Sequence, residues 1–416
     1  MADPTSVYYD ALRTICQPVR AADYPPSLRP LRQLLSALGN PEARFPSIVV
    51  AGSVGKGTTC HRLAQLLQAG GLKVGLYTSP HLHSFRERFA IDGVPISMDG
   101  FVAGVKAIES VSHRLAHESG VVYSTFELAT ALALWWFAQE SVDVAVLECG
   151  LGGRWDAVNA VSNRLTLITP IEQEHVAMLG GSLQTIAWHK AGVIQPGGQA
   201  ITVKQSPVVQ AVLENEAQGA GARLIQADNS DLLTVAVETL KDRLTSPLNP
   251  DGLDLSGGAV VLPGRMERVP VGERFILIDG GHTPLAARRL FDMAGAASHL
   301  IVGMLRDKRA GDFLTVFDHP GIQIILTTAP GHRAADPHTL ARQASLQQAK
   351  VEVIPDLDTA LQQLRVPGED TILVTGSLRL AAAAREVCGL LTAAELAEAQ
   401  ATRQIFEGAD YLAKLD

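Results

Sequence analysis

The chain has 416 residues, a length suited to two or three domains, and 47% of them are hydrophobic, enough for sizeable cores. Its 35 basic and 43 acidic residues leave a net charge of −8, which excludes bulk attraction to nucleic acid or to an anionic membrane surface. Cys16, Cys60, Cys149 and Cys388 stand singly, so neither a disulfide-stapled fold nor a cysteine-built zinc site can be assembled, and they read as buried thiols of a reducing compartment.

The N-terminus MADPTSVYYD lacks the basic-then-apolar run of an export signal. The longest apolar stretch, residues 128–138, is too short to span a bilayer and contains Thr130. A cytoplasmic protein without a membrane partner is expected. Aromatics are only 5% while Ala, Leu, Val and Gly abound, which suits a helix-covered parallel sheet.

In chain order, the first predicted strand, residues 48–51, runs into Gly52-Ser53-Val54-Gly55-Lys56-Gly57-Thr58-Thr59. A helical pattern follows, with Leu63, Leu66 and Leu67 at i, i+3 and i+4. Glycines let successive N–H groups converge on one centre, the helix N-terminus adds its dipole, and Lys56 adds a point charge. The loop therefore reads as a cradle for nucleotide phosphates. It departs from the GxxxxGK[ST] pattern, because Val50 stands where the first glycine belongs.

The next predicted strand, residues 73–78, ends at Thr78-Ser79-Pro80-His81, where a hydroxyl can reach a metal. Strand 142–147 closes on Glu148, followed by Cys149-Gly150-Leu151-Gly152-Gly153, which does not fit the dinucleotide GxGxxG. An acid closing an apolar strand downstream of a phosphate loop is a way to hold Mg²⁺ beside a nucleotide. Strand 165–169 leads to Ile171-Glu172-Gln173-Glu174-His175. In a parallel sheet these ends share one edge. Each residue has a plainer reading too: a turn hydroxyl for Ser79, a cap or ion-pair partner for Glu148, a surface loop residue for His175.

Ser182 can N-cap a helix stopped at Gly192. Leu183, Ile186, Ala187 and Lys190 follow i, i+3, i+4, i+7, which puts a lysine on the apolar stripe. It must snorkel, pair, or change its chemistry, as nucleophile or as a carbamate. Residues 246–258 read as a polar loop, and a domain boundary is placed near 263–267. Strands are predicted at 275–279, 299–303, 322–327, 351–354 and 371–375, again separated by helical patterns, as in right-handed βαβ units. Residues 392–416 form a polar, helix-like tail. The expected fold is α/β.

The runs VVAGSVGKGTT, LYTSPHLHSFRERFAIDG, VDVAVLECGLGGRWDAVNAV, HVAMLGGSLQTIAWHKAGVIQPG, LPGRMERV, LIDGGHTPLAA, IVGMLRDK and ILVTGSL resemble, in order and spacing, the folylpolyglutamate synthases and dihydrofolate synthases of the Mur ligase superfamily. The resemblance covers about residues 28–390. It implies a P-loop ATPase domain with a mostly parallel sheet, residues 1–266, and a smaller Rossmann-like ligase domain, residues 267–416, with the active site in the cleft between them. It implies ATP and Mg²⁺ as cofactors, and a folate or dihydropteroate and L-glutamate as substrates. Gly52, Ser53, Gly55, Lys56, Gly57, Thr58 and Thr59 would wrap the phosphates. Ser79, Glu148 and His175 fall where the family holds Mg²⁺, and Lys190 on the lysine whose carbamate helps hold a second Mg²⁺. Asn229, Arg265 and Asp279 match positions contacting adenine, phosphate and ribose, and His282 lies in the turn closing over the nucleotide. Thr125, Phe126 and Glu127 lie near the pterin-carrying substrate. A monomer that binds no nucleic acid is expected.

Three positions depart from the family pattern. Val54 replaces a usual Asn, Glu174-His175 replaces Asp-His, and Thr283 replaces the Asn of DGAHNP. The expected reaction is acyl-phosphate ligation, with Lys56, His175 and Lys190 as its central residues. Two other readings are a superfamily ligase acting on a non-folate acid and a nucleotide- or folate-binding protein without turnover.

Overall fold

The computed structural model describes residues 4–16, 26–228, 231–241, 243–244, 246–249, 253, 261–271, 274–294, 297–344, 346–364 and 371–408. The chain divides into two compact units. The first comprises residues 1–81, 85–260 and 401–416, and the second residues 82–84 and 261–400.

In the first unit, eight described strands form one sheet. From edge to edge they are Val94–Pro95, Phe89–Ile91, Val74–Tyr77, Val144–Glu148, Ser47–Ala51, Asn163–Ile168, Gln199–Val203 and Arg223–Ala227. Neighbours are parallel from Val74–Tyr77 onward, and the first two strands are antiparallel additions. The central strands are buried on both faces, which is why they read as unbroken apolar runs rather than alternating ones. Their side chains still divide by parity. Val49, Ala51, Ala145 and Leu147 enter a core with the buried helix Thr125–Gln139, whereas Ile48, Val50, Val144 and Val146 meet Cys60, Leu63 and Leu67 of the helix Lys56–Ala69.

The second unit carries a six-stranded sheet in the order Lys350–Val353, Gln323–Leu326, His299–Val302, Ile372–Thr375, Arg274–Ile278, Glu267–Val271. All neighbours are parallel except Arg274–Ile278 with Glu267–Val271. Ile276 and Ile278 face one core and Leu277 the other.

Every strand expected from sequence is present within a residue or two of its expected ends. Five described strands were not expected. Phe89–Ile91 and Val94–Pro95 are too short for a period to show, Gln199–Val203 is a short buried strand whose run is broken by Thr202, Arg223–Ala227 is a largely uncovered edge, and Glu267–Val271 is an edge strand that opens on two charged residues and contains Pro270. Glu267–Val271 pairs with the strand that follows it, so the chain enters the second sheet at Glu267. The polar tail is a helix, Ala393–Gly408, whose Phe406 lies 5.1 Å from the His81 ring and 5.4 Å from that of Phe85. Residues 409–416, and most of the loop 246–258, lie outside the described residues. No described helix is long and apolar enough to cross a membrane.

Candidate active site

The glycine-rich loop leaves the central strand Ser47–Ala51 and enters the helix Lys56–Ala69. Gly52 has φ +140°, and a Cβ on it would lie 1.9 Å from Thr169 Oγ1, so the position admits no side chain. The N–H groups of Ser53 and Val54 donate to Pro170 O at 2.9 and 3.3 Å, and the Ser53 hydroxyl exchanges hydrogen bonds with the backbone of Glu172. Those groups anchor the loop to the neighbouring strand end and do not face a ligand. What the helix offers is its first turn: Gly55, the N-cap, has φ +86° and no side chain to cap it, so the N–H groups of Lys56, Gly57 and Thr58 lack intrahelical acceptors. Lys56 is half-buried, and its ammonium has no hydrogen-bond or ion-pair partner among the described residues.

Glu148, at the end of its strand, is 5% exposed. A Cβ on Gly57 would lie 3.5 and 3.6 Å from its two carboxylate oxygens, so the carboxylate abuts the first turn of the loop helix. Its Oε2 accepts from Ser79 N at 3.0 Å. The Ser79 hydroxyl has no partner among the described residues. Among those residues no three His, Cys, Asp or Glu side chains gather into a cage. Magnesium does not need one, since it keeps waters and takes one or two carboxylates plus substrate phosphates. A buried carboxylate and an open hydroxyl beside a phosphate-ready helix end fit that demand.

The sequence-predicted lysine is 2% exposed on the helix Leu183–Ala191, capped by Ser182, whose hydroxyl accepts from Thr185 N. Lys190 Nζ donates to Glu174 Oε1 at 2.8 Å and to Gly52 O at 2.7 Å. It therefore pairs and does not snorkel. Burial alone raises the Glu174 carboxyl, but Lys190, Lys56 and His175 outweigh it and hold it at about 2. Burial pushes Lys190 down, against the pull of Glu174. The two shifts oppose each other, one favouring the ion pair and the other a neutral amine. The ion pair governs, because two short hydrogen bonds from Nζ match an ammonium between an anion and a carbonyl. His175 follows at φ +49°, an uncommon conformation for a non-glycine residue, with Nε2 3.8 Å from Glu174 Oε2. Thus Gly52, Glu174, His175 and Lys190 form one group, and Gly57, Ser79 and Glu148 another. The glycine-rich loop touches both.

Other expected residues have structural duties. Glu127 forms a capping box with Ser124: its Oε2 accepts from Ser124 N at 2.9 Å, and its N–H donates to Ser124 Oγ at 3.2 Å. The S-x-x-E signal for this is present in the sequence. Phe126 packs over Gly150, where a Cβ would lie 2.6 Å from its ring, and 5.9 Å from the Tyr77 ring. Thr125 is buried at the same helix start. Asp156 was not singled out in the sequence. Its carboxylate accepts from Leu151 N at 2.7 Å and Val158 N at 3.1 Å, and burial raises it to about 6 against those bonds. Only its fully enclosed position sets it apart from any loop aspartate.

In the second unit, Asp279 accepts from Met266 N at 2.9 Å and Gly281 N at 2.6 Å, tying the turn after its strand to the segment that carries Arg265. Burial raises its carboxyl, and the charge of Arg265 opposes the rise. His282 Nδ1 is 3.1 Å from Gly280 O. Thr283 caps the helix Pro284–Ala294, its hydroxyl accepting from Ala286 N at 3.3 Å, a duty that Asn and Thr share. Asn229 lies outside the described residues.

Residues 264–378 match the family model "Mur ligase, glutamate ligase domain". The chain is 30% identical to the folylpolyglutamate synthase of Lacticaseibacillus casei, over 86% of this chain and 93% of that protein. It is similar to the structure of Mycobacterium tuberculosis folylpolyglutamate synthase complexed with ADP and AMPPCP, with a TM-score of 0.82 and 28% identity over 93% of this chain and 99% of that one. It is also similar to the bifunctional folylpolyglutamate synthase/dihydrofolate synthase of Yersinia pestis complexed with AMPPNP and Mn ion, with a TM-score of 0.81 and 26% identity over 94% of this chain and 100% of that one.

Proposed function

The chain belongs to the folylpolyglutamate synthase/dihydrofolate synthase family of the Mur ligase superfamily, and from that premise we propose how its own residues carry the chemistry. The activity is that of an ATP-dependent, glutamate-adding ligase of this type. The acceptor is a folate-type carboxylate. The single observation that supports these assignments is the glycine-rich loop itself, whose open first helical turn abuts Glu148 at Gly57 and whose Gly52 carbonyl is held by Lys190.

The reaction begins with attack of the acceptor carboxylate on the γ-phosphorus of ATP, which yields an acyl phosphate and ADP. Two anions approach each other, so positive groups must be in place beforehand. Lys56 and the first-turn N–H groups bind and orient the phosphate oxygens. The amine of L-glutamate then attacks the acyl carbon, and collapse of the tetrahedral intermediate expels phosphate. Glu148, Ser79 and His175 would hold Mg²⁺, which when bound neutralises charge on the phosphates. Residues 1–266 would act as the ATPase part and 267–416 as the Rossmann-like ligase part. Arg265, Asp279 and His282 would contact the nucleotide, as would Asn229. Thr125, Phe126 and Glu127 would lie beside the pterin end.

Lys190 matches the lysine that the superfamily carbamylates. A carbamate here would set a second anion beside Glu174, so it requires a divalent cation as shared partner. Carbamylation therefore belongs to the Mg-nucleotide-bound enzyme, and the ammonium–Glu174 pair to the enzyme without it. Thr283 caps its helix with its hydroxyl, a bond that an Asn side chain can also make. Mass spectrometry of products from dihydropteroate and from tetrahydrofolate, each with L-glutamate and Mg-ATP, tests the function. A mass increase of one glutamate on either acceptor is expected. Phosphate release only with an unrelated acid would replace this reading with that of a non-folate ligase.

A further inference from the structure

In the first unit a groove of about 680 Å³ runs between the helix Arg29–Ala37 and the loops that follow Gly153 and Ala191. Three arginines line it, Arg29, Arg32 and Arg154, with Gln33, Gln195 and the indole of Trp155. No acidic residue lines it among those described. In a chain of net charge −8 this is a local reversal of sign. Leu31, Leu34 and Leu35 hold the helix to the core, and Arg29, Arg32, Gln33 and Ser36 form its outer face at i, i+3, i+4 and i+7. The first turn of that helix contains no acid, so Arg29 and Arg32 stand at its positive end, an arrangement that costs free energy until an anion arrives. Neither guanidinium has an ion-pair partner among the described residues. Arg154 is half-balanced: one Nη pairs with Glu216, its guanidinium lies 4.0 Å over the Trp188 ring, and its buried Nε has no partner among the described residues.

The groove is joined to the helix that carries Lys190 through one piece of backbone. Arg154 N donates to His189 O at 2.7 Å, and a Cβ on Gly153 would lie 2.8 Å from Lys190 O. The turn that brings Arg154 and Trp155 into the groove is thus packed on the helix end that carries Lys190.

We propose that this groove binds the carboxylates of the acceptor that do not react, the inner glutamyl residues of an oligoglutamylated substrate. The inference rests on the glutamate-adding function above. Several spaced guanidiniums with neutral amides between them match a flexible chain of carboxylates, and Arg29 and Arg32 can each take one in a forked pair of hydrogen bonds, with the charge of Arg154 beside them. An acceptor without glutamate commits its single carboxylate to the γ-phosphate, and a monoglutamyl acceptor keeps its one remaining carboxylate on the residue that reacts, so neither carries an inner glutamyl chain into the groove.

The test compares the full-length enzyme with the Arg29→Gln/Arg32→Gln double variant on monoglutamyl and triglutamyl tetrahydrofolate, with binding of free triglutamate followed by calorimetry. The expected result is a KM for the triglutamyl acceptor raised tenfold or more, kcat/KM for the monoglutamyl acceptor within twofold of wild type, and triglutamate binding lost in the variant. Equal changes for both acceptors, no change for either, or triglutamate binding that survives in the variant would overturn the proposal. Wild-type enzyme inactive on every folate would refute the assigned acceptor instead. The triglutamate binding comparison would then still decide the groove.

Discussion

Lys190 Nζ lies 2.7 Å from the carbonyl oxygen of Gly52, so a lysine on one helix braces the first residue of a loop that precedes it by most of the first domain's sheet. The same nitrogen holds Glu174 at 2.8 Å, and one cation thereby joins the glycine-rich loop to the segment bearing His175.

Removing that cation leaves a buried carboxylate without its counter-charge. Lys190→Met is expected to lower stability by about 3–5 kcal/mol, and Lys190→Met/Glu174→Gln to recover most of the loss. Denaturant titration of the two variants measures this directly. For activity, Lys190→Ala is expected to be nearly inactive and partly rescued by acetate or bicarbonate, and Lys190→Arg to be inactive and beyond rescue. A carbamate resonance from ¹³C-bicarbonate is expected only with Mg-nucleotide present; its appearance without nucleotide would contradict the role given to Glu174.

Lys56→Ala is expected to fold normally, because the side chain fills no core, and to lose at least tenfold in kcat/KM, about 1.4 kcal/mol of transition-state stabilisation. Near-normal turnover in a variant with unchanged circular dichroism would remove the loop from the reaction.

Glu148→Gln keeps the shape of the side chain and drops its charge, and His175→Ala removes an imidazole from the neighbouring group. Each is expected to raise the Mg²⁺ concentration needed for half-maximal activity by about tenfold or more. Superimposable Mg²⁺ titrations for both variants and wild type would show that the metal is held elsewhere.

Gly52→Ala brings a Cβ to 1.9 Å from Thr169 Oγ1 at φ +140°. A loss of about 2–4 kcal/mol in stability is expected, together with loss of ligation. Adding Thr169→Ala removes the clashing oxygen but not the backbone strain, so recovery should be partial. Full recovery, measured by thermal unfolding, would mean that the backbone conformation carries no cost.

Asp156 gives a pH signature. Its carboxyl is raised from an ordinary 3.8 to about 6 in the folded chain, so between those values the native state holds a proton that the unfolded state has released. Its contribution to stability is therefore present below pH 4 and falls as pH rises towards 6, by about 3 kcal/mol in all. The stability difference between wild type and Asp156→Asn should shift by that amount between pH 4 and pH 7, in the direction of a relatively weaker wild type at the higher pH. A constant difference would contradict the shift.

The α/β class, the order of the central strands' sequence segments and the glycine-rich loop are local properties: apolar runs buried on both faces, glycine spacing and helix periodicity all lie within about a dozen residues. The anomaly of Lys190 was legible for the same reason, since a charge on an apolar stripe can be seen without knowing its partner. The capping box at Ser124 and Glu127 was equally local, and its signal competed with a binding reading of the same residues.

By itself the sequence determined most of the segments that become strands and which residues carry ionisable groups to one sheet edge, because hydrophobic period and turn chemistry act over short range. Only the tertiary structure decided how those groups divide: that Ser53 anchors to Glu172 and leaves the first helical turn open, that Glu148 meets Gly57, and that Lys190 closes on Glu174 and Gly52. Each of these is a contact between residues far apart in the chain. The partner that wins is set by which strand ends the parallel sheet places side by side and by the need to satisfy every buried charge, and neither is written in the spacing of any one segment.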